Sequence, residues 1–69
     1  MKMTINGKVE EIKLLENNVF ELLRVMNVKM PEAVTVEVNG KILKRSEFGT
    51  VELKEGDIIE FIYYMTGGN

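Results

Sequence analysis

Sixty-nine residues make one domain at most, and a chain of that size buries only about 60% of the surface it exposes when unfolded. There is no cysteine and no histidine, which excludes zinc fingers, thiol nucleophiles and imidazole acid–base catalysis, and fits a cytoplasmic location. Nine Lys/Arg against eleven Asp/Glu give a net charge of −2, without the basic excess that a nucleic-acid partner requires. No apolar run approaches the ~20 residues that cross a membrane, and the N-terminus lacks the apolar region of a signal peptide.

Met1–Ile5 alternates in polarity, with Met3 and Ile5 on one side and Lys2 and Thr4 on the other, which predicts a strand. Asn6-Gly7 is a hairpin signal, because both central positions of a type I′ turn need positive φ. A second strand is expected from Lys8 to about Leu15. Its alternation fails at Glu10-Glu11, where a bulge or a strand end fits.

In "NNVFELLRVMNV", Asn18 is a suitable N-cap, with Glu21 three positions later in capping-box-like register. Val19, Leu22, Leu23 and Met26 repeat at helical spacing and Phe20 widens the stripe, so a helix is predicted over Val19–Met26. A helix this short needs a sheet to hold it. Asn27–Pro31 reads as a loop, since Pro31 disfavours helix at Met30.

Val34–Val38 is a predicted strand with its three valines inward. Asn39-Gly40 makes a second tight turn, from which Lys41–Arg45 returns antiparallel. Ser46–Gly49 is short and irregular or a single turn, with Phe48 tucked into the core. Val51 and Leu53 lead into the turn Lys54–Asp57, whose Gly-Asp is turn chemistry. The last strand, Ile58–Tyr64, is apolar on both faces: Ile59, Phe61 and Tyr63 on one, Ile58, Ile62 and Tyr64 on the other. Only Glu60 interrupts it. A strand of that kind lies in the middle of a sheet. The expectation is an α+β fold of one mixed sheet and one helix, residues 1–65, followed by a flexible tail, residues 66–69.

Chemistry is scarce. The one serine, Ser46, has no histidine to activate it. Glu10, Glu11, Glu52, Glu55 and Asp57 fall in turns and on outward strand positions, where a solvated surface is the simplest reading. No phosphate-binding glycine loop occurs. The chain is therefore read as no enzyme, with no bound cofactor or metal, and its function is sought in surfaces and ends. Ile58, Ile62 and Tyr64 form an apolar stripe suited to a partner if the helix covers the opposite face; a curled sheet could instead tuck some of them inside. Gly67-Gly68 follows the last strand, and glycine lacks Cβ, so such an end can thread a narrow channel and leave its carbonyl open to attack. A frayed end is the alternative.

Taken together, "MKMTINGK", "NNVFELLRVMNV", "VTVEVNGKILKRSEF" and "LKEGDIIEFIYYMTGG" resemble, in order and over the whole chain, the ThiS/MoaD family of sulfur carriers. The third stretch is most similar to the thiamine branch. Asn18 stands where the family usually has Thr, and Phe48 where Trp is frequent. The resemblance implies a ubiquitin-like β-grasp fold, a mixed five-stranded sheet packed against one main helix. It implies that an E1-like (ThiF-type) adenylyltransferase uses ATP to adenylate the terminal glycine carboxylate, which sulfur then converts to a thiocarboxylate for a thiazole synthase (ThiG-type). Carried over by motif, Gly68 is the loaded residue, Thr66 and Gly67 the flexible approach, and Ile58, Ile62, Tyr64 and Met65 the docking surface.

Asn69 departs from the pattern, because the family normally ends at the second glycine and an amide at Gly68 cannot be adenylated. It could be removed by a peptidase, could be an addition from cloning, or could mark a relative that has lost loading. A non-catalytic interaction module, a ubiquitin-like modifier, or a carrier for molybdopterin, tRNA thiolation or cysteine and homocysteine synthesis are the alternatives.

Overall fold

Two Asn-Gly turns build two hairpins. In a computed structural model, which describes residues 1–63, β1 (Lys2–Ile5) pairs antiparallel with β2 (Lys8–Glu11), and β3 (Thr35–Val38) with β4 (Lys41–Ile42). Asn6 and Gly7 sit at φ 52° and 83°, and Asn39 and Gly40 at 53° and 85°, the positive pair that a type I′ turn demands. β5 (Ile58–Ile62) then inserts between the hairpins, parallel to β1 and antiparallel to β3, which gives the five-stranded order β2-β1-β5-β3-β4. With one helix across one face, this is the β-grasp arrangement. The expected tail, with Tyr64, Met65, Thr66, Gly67, Gly68 and Asn69, lies outside the described residues, as does the expected boundary after residue 65.

Helix α1 (Val19–Val25) starts where Asn18 in extended backbone accepts a hydrogen bond from the Glu21 N–H at 2.8 Å. The reciprocal half of the expected capping box is not made. The Glu21 carboxylate instead accepts from the Leu15 N–H and from Arg24, while the Asn18 N–H donates to the Glu16 carbonyl. At the other end, Asn27 takes φ 57° and donates to the Arg24 carbonyl, and Val28 donates to that of Leu23. That pair of bonds is a Schellman cap, with Asn in the place usually held by Gly. Helix residues Val19, Leu22 and Leu23 bury against Met3 and Ile5 of β1, Val36 and Val38 of β3, and Ile59 of β5, with Phe48 and Leu53 closing the ends.

The "RSEF" stretch has a structural explanation. A single 3₁₀ turn (Arg45–Glu47) aims Arg45 back at the loop before β3, where its guanidinium donates to the carbonyls of Pro31 and Glu32, each at 2.7 Å. The same group lies 4.6 Å above the Phe48 ring, a cation–π contact, and Phe48 meets Phe20 edge to face. Phe48 is 2% exposed, as its sequence context suggested.

All five strands are shorter than the sequence pattern suggested, β1 and β3 only by their first residue and the other three at their far ends. β2 stops at Glu11, although the Ile12 N–H still reaches the Met1 carbonyl in the same register; Ile12 is buried and Leu15 exposed. β4 keeps only Lys41 and Ile42, although the Leu43 N–H still reaches the Val36 carbonyl. β5 ends at Ile62 because its neighbours run out: β1 has already turned at Asn6, and Thr35 opposite Ile62 is the first residue of β3. Tyr63, expected on the core side with Ile59 and Phe61, is therefore half-exposed.

Glu21 gives this region an acid sensitivity. The Arg24 guanidinium, and after it the Leu15 N–H, hold its carboxyl below the ordinary value of 4.5. Because the shift is downward on folding, its stabilisation is complete above that ordinary value and is lost as pH falls through the lowered one. Thermal melts across the acid range should therefore show Glu21→Gln less stable than the parent at neutral pH, with the gap closing as the parent's carboxyl protonates; a gap that is constant with pH would contradict this.

Candidate functional site

Asn6 and Asn39 do more than turn the chain. At the start of β5, the Asn39 side chain accepts from the Ile58 N–H at 2.9 Å and donates to Asp57 at 3.0 Å. Asp57 in turn accepts from the Lys54 N–H, which confirms its role in the turn. Further along β5, the Asn6 side chain accepts from the Phe61 N–H at 2.8 Å. Both hairpin turns thus clamp the same central strand, one at its start and one near the end from which residues 64–69 continue.

The sheet face away from the helix is uncovered in the described residues. Cross-strand partners share a face, so the register places Val9, Thr4 and Ile58 in one row across β2, β1 and β5, and Ile42, Glu37 and Glu60 in another across β4, β3 and β5. Thr35 and Ile62 form a third, nearest the point where β5 ends. Val9, Ile42 and Ile58 are each more than half exposed. Apolar residues on a solvated sheet face are an ordinary finding singly, but here they frame two carboxylates. Glu37 and Glu60 face each other directly on adjacent strands, and among the described residues neither pairs with a cation. Like charges directly opposite destabilise a sheet, so this row is not explained by a contribution to stability.

Beside the end of β5, a cleft of about 570 Å³ opens between the Asn6 turn and the loop after α1, lined among others by Lys8, Met26, Met30, Phe61 and Tyr63. Apart from the buried Ile5, its walls are half-buried or exposed, so it is a groove that runs up to the strand's end. A substrate enclosed on most of its surface would need deeper walls.

The profile of the ThiS family matches residues 3–68, nearly the whole chain. The chain belongs to the ThiS family. Two solved structures agree with that membership: a crystal structure of the thiamine biosynthesis protein ThiS from Geobacter metallireducens, and an NMR solution structure of a thiamine biosynthesis protein from the same organism. The first is 45% identical, covers 99% of this chain and 100% of that one, and superposes with a TM-score of 0.87. The second is 44% identical over 100% of this chain and 90% of that one, with a TM-score of 0.79. No curated protein matches the chain.

Of the site residues read from the sequence of this ThiS-family chain, Ile58 and Ile62 do share the uncovered face, Ile58 51% exposed and Ile62 partly buried. Tyr64, Met65, Thr66, Gly67 and Gly68 lie outside the described residues. The sequence reading missed Val9, Ile42, Glu37 and Glu60 on that face, because their meeting depends on strand order and register. The outward position of Glu37 and the interruption at Glu60 were visible, but nothing local says that they meet. It also missed the side-chain bonds of Asn6 and Asn39, whose turn propensity alone accounts for their presence.

Relief of the facing carboxylates is measurable. Glu60→Gln should raise stability in denaturant titrations by roughly 0.2–1 kcal/mol, the size of a cross-strand charge term. An unchanged or lowered midpoint would show that the two carboxylates do not oppose folding.

Proposed function

We propose that this chain is a sulfur carrier of thiamine biosynthesis that works through its C-terminus and catalyses nothing itself. The observation that carries this reading is a Gly67-Gly68 pair following the central strand of a ThiS-family chain. The two Geobacter structures, described as thiamine biosynthesis proteins, support the pathway.

In this reading the chemistry belongs to partners. The Gly68 carboxylate attacks the α-phosphorus of ATP on an E1-like (ThiF-type) adenylyltransferase, and pyrophosphate leaves. A persulfide sulfur then attacks the acyl carbon and AMP leaves. A thiol cleaves the resulting acyl disulfide, so that the thiocarboxylate remains on Gly68. A thiazole synthase (ThiG-type) takes the sulfur. The chain contributes a docking face, with Ile58 and Ile62 at its centre and Tyr64 and Met65 continuing toward the tail, and an end without side-chain bulk at Gly67 and Gly68. The mixed apolar and acidic character of the face suits a partner surface that sets basic groups among apolar ones. ATP is the activating enzyme's substrate and is not held by this chain.

Asn69 blocks the first step, since an amide offers no carboxylate. The proposal therefore includes removal of Asn69 by a peptidase before loading. Among the described residues no helix is long and apolar enough to cross a membrane.

The direct test is to incubate the full chain and a form ending at Gly68 with the activating enzyme, ATP and a sulfur donor, and to follow intact mass. The form ending at Gly68 should gain the mass of one oxygen-to-sulfur exchange and the full chain should not. A Gly68-ended form that is never loaded would overturn the reading. Ile58→Glu, placed on an exposed position, should leave the melting temperature nearly unchanged while raising the KM for the activating enzyme about tenfold or more, a loss of roughly 1.4 kcal/mol in docking. Asn69 favours one second reading, a β-grasp module that binds partners without being loaded; docking that survives deletion of residues 66–69, with no loading of either form, is its signature.

A further inference from the structure

The parallel ladder between β1 and β5 advances in steps of two along β5. The Thr4 N–H donates to the Asp57 carbonyl at 3.0 Å and the Asn6 N–H to the Ile59 carbonyl at 2.9 Å. In a regular parallel pair the next rung would run from the Phe61 N–H to the backbone carbonyl of residue 6. Asn6 is by then committed to the turn at φ 52°, and its backbone is leading the chain away from β5. The rung is made nonetheless, with the Asn6 side-chain oxygen in place of the backbone carbonyl, at 2.8 Å. β5 is thereby held from both sides through Phe61, while on the opposite edge Ile62 pairs with Thr35.

We propose that Asn6 is a positioning residue for loading at Gly68: its side-chain amide supplies the last rung on the β1 edge of β5 and so anchors the end of the strand from which the chain continues to Gly68. The proposal rests on the carrier reading above. Asparagine meets two demands here, since it tolerates the left-handed backbone of the turn and offers an acceptor one side-chain length beyond it. Without the rung, the end of β5 is held only along β3 and can pivot about that ladder. Catalysis on a tethered carboxylate depends steeply on approach geometry, so a loosened strand end registers in the rate of loading more than in docking. Docking uses the uncovered sheet face, which the substitution leaves in place.

Asn39 provides a matched control. It occupies the same turn type and bonds the same strand, but at Ile58, away from the exit. Asn6→Gly and Asn39→Gly both keep the turn and remove the side-chain bond, whereas Asn6→Asp keeps both turn and acceptor. Amide hydrogen exchange on the full-length chain should show protection of the Phe61 N–H falling about tenfold or more in Asn6→Gly, unchanged in Asn39→Gly and restored in Asn6→Asp. Steady-state loading, run on whichever form the unsubstituted protein shows to be a substrate, should show kcat falling about threefold to tenfold in Asn6→Gly, with KM within about twofold. Asn39→Gly should keep the parent kcat, and Asn6→Asp should recover it. Equal kcat losses in both glycine variants, or unchanged Phe61 protection in Asn6→Gly, would overturn the proposal. Failure of the unsubstituted protein to be loaded in either form would instead overturn the carrier reading, and the positioning role with it, a result that the Phe61 exchange on the same protein separates from absence of the rung.

Discussion

Ile59 has no exposed surface, and its backbone is paired with Ile5 of β1 on one side and Val38 of β3 on the other. It holds the two hairpins together, since without β5 neither hairpin has a neighbour, and an isolated two-stranded hairpin is at best marginally stable in water. The helix depends on the same residue, because α1 is too short to persist alone and lies on the core surface that Ile59 completes. Truncating a fully buried isoleucine at such a place typically costs about 2–5 kcal/mol, which is a large share of what a domain this small holds. The final strand is therefore the innermost one, and the sheet closes only when residues more than fifty positions apart in the chain come together.

In the proposed carrier reading, that placement ties stability to function. A tail that follows an edge strand would inherit the fraying of the edge. A tail that follows the central strand starts from the best-anchored backbone in the molecule, paired on both edges through Phe61. The uncovered sheet face lies beside the same strand, so a partner that docks there has the chain's end delivered from a fixed origin. The facing pair Glu37 and Glu60 fits this division of labour: the helix side of the sheet is chosen for packing, and the open side accepts some repulsion. Arg45 belongs to the packing side, since its bonds to the carbonyls of Pro31 and Glu32 hold the approach to β3.

Features that depend on local chemistry were legible in the sequence. Asn6-Gly7 and Asn39-Gly40 specify their turns through two adjacent positive φ angles, and Asn18 announces the helix start through its cap. The two-faced apolar pattern over Ile58–Tyr64 placed that strand centrally, as the sheet order has it. Features set by the meeting of distant segments were not legible. The extent of β2 follows its pairing with β1, and Glu37 meets Glu60 only through the register of β3 on β5. The two turn asparagines illustrate the boundary: their turn role is readable from the dipeptide, while their bonds to β5 appear only when the hairpins close on it. The family resemblance came from motifs in order, and the profile match over residues 3–68 bears it out.

The central claim is that β5 is the most stable strand and that the rest of the fold is organised around it. Native-state amide hydrogen exchange on the full chain measures this strand by strand. Slowest exchange at Ile59 and its flanking ladder amides in β1, β3 and β5, with β2 and β4 opening at lower free energy, is the predicted result. Exchange of the Ile59 amide ahead of those in the edge strands would contradict it.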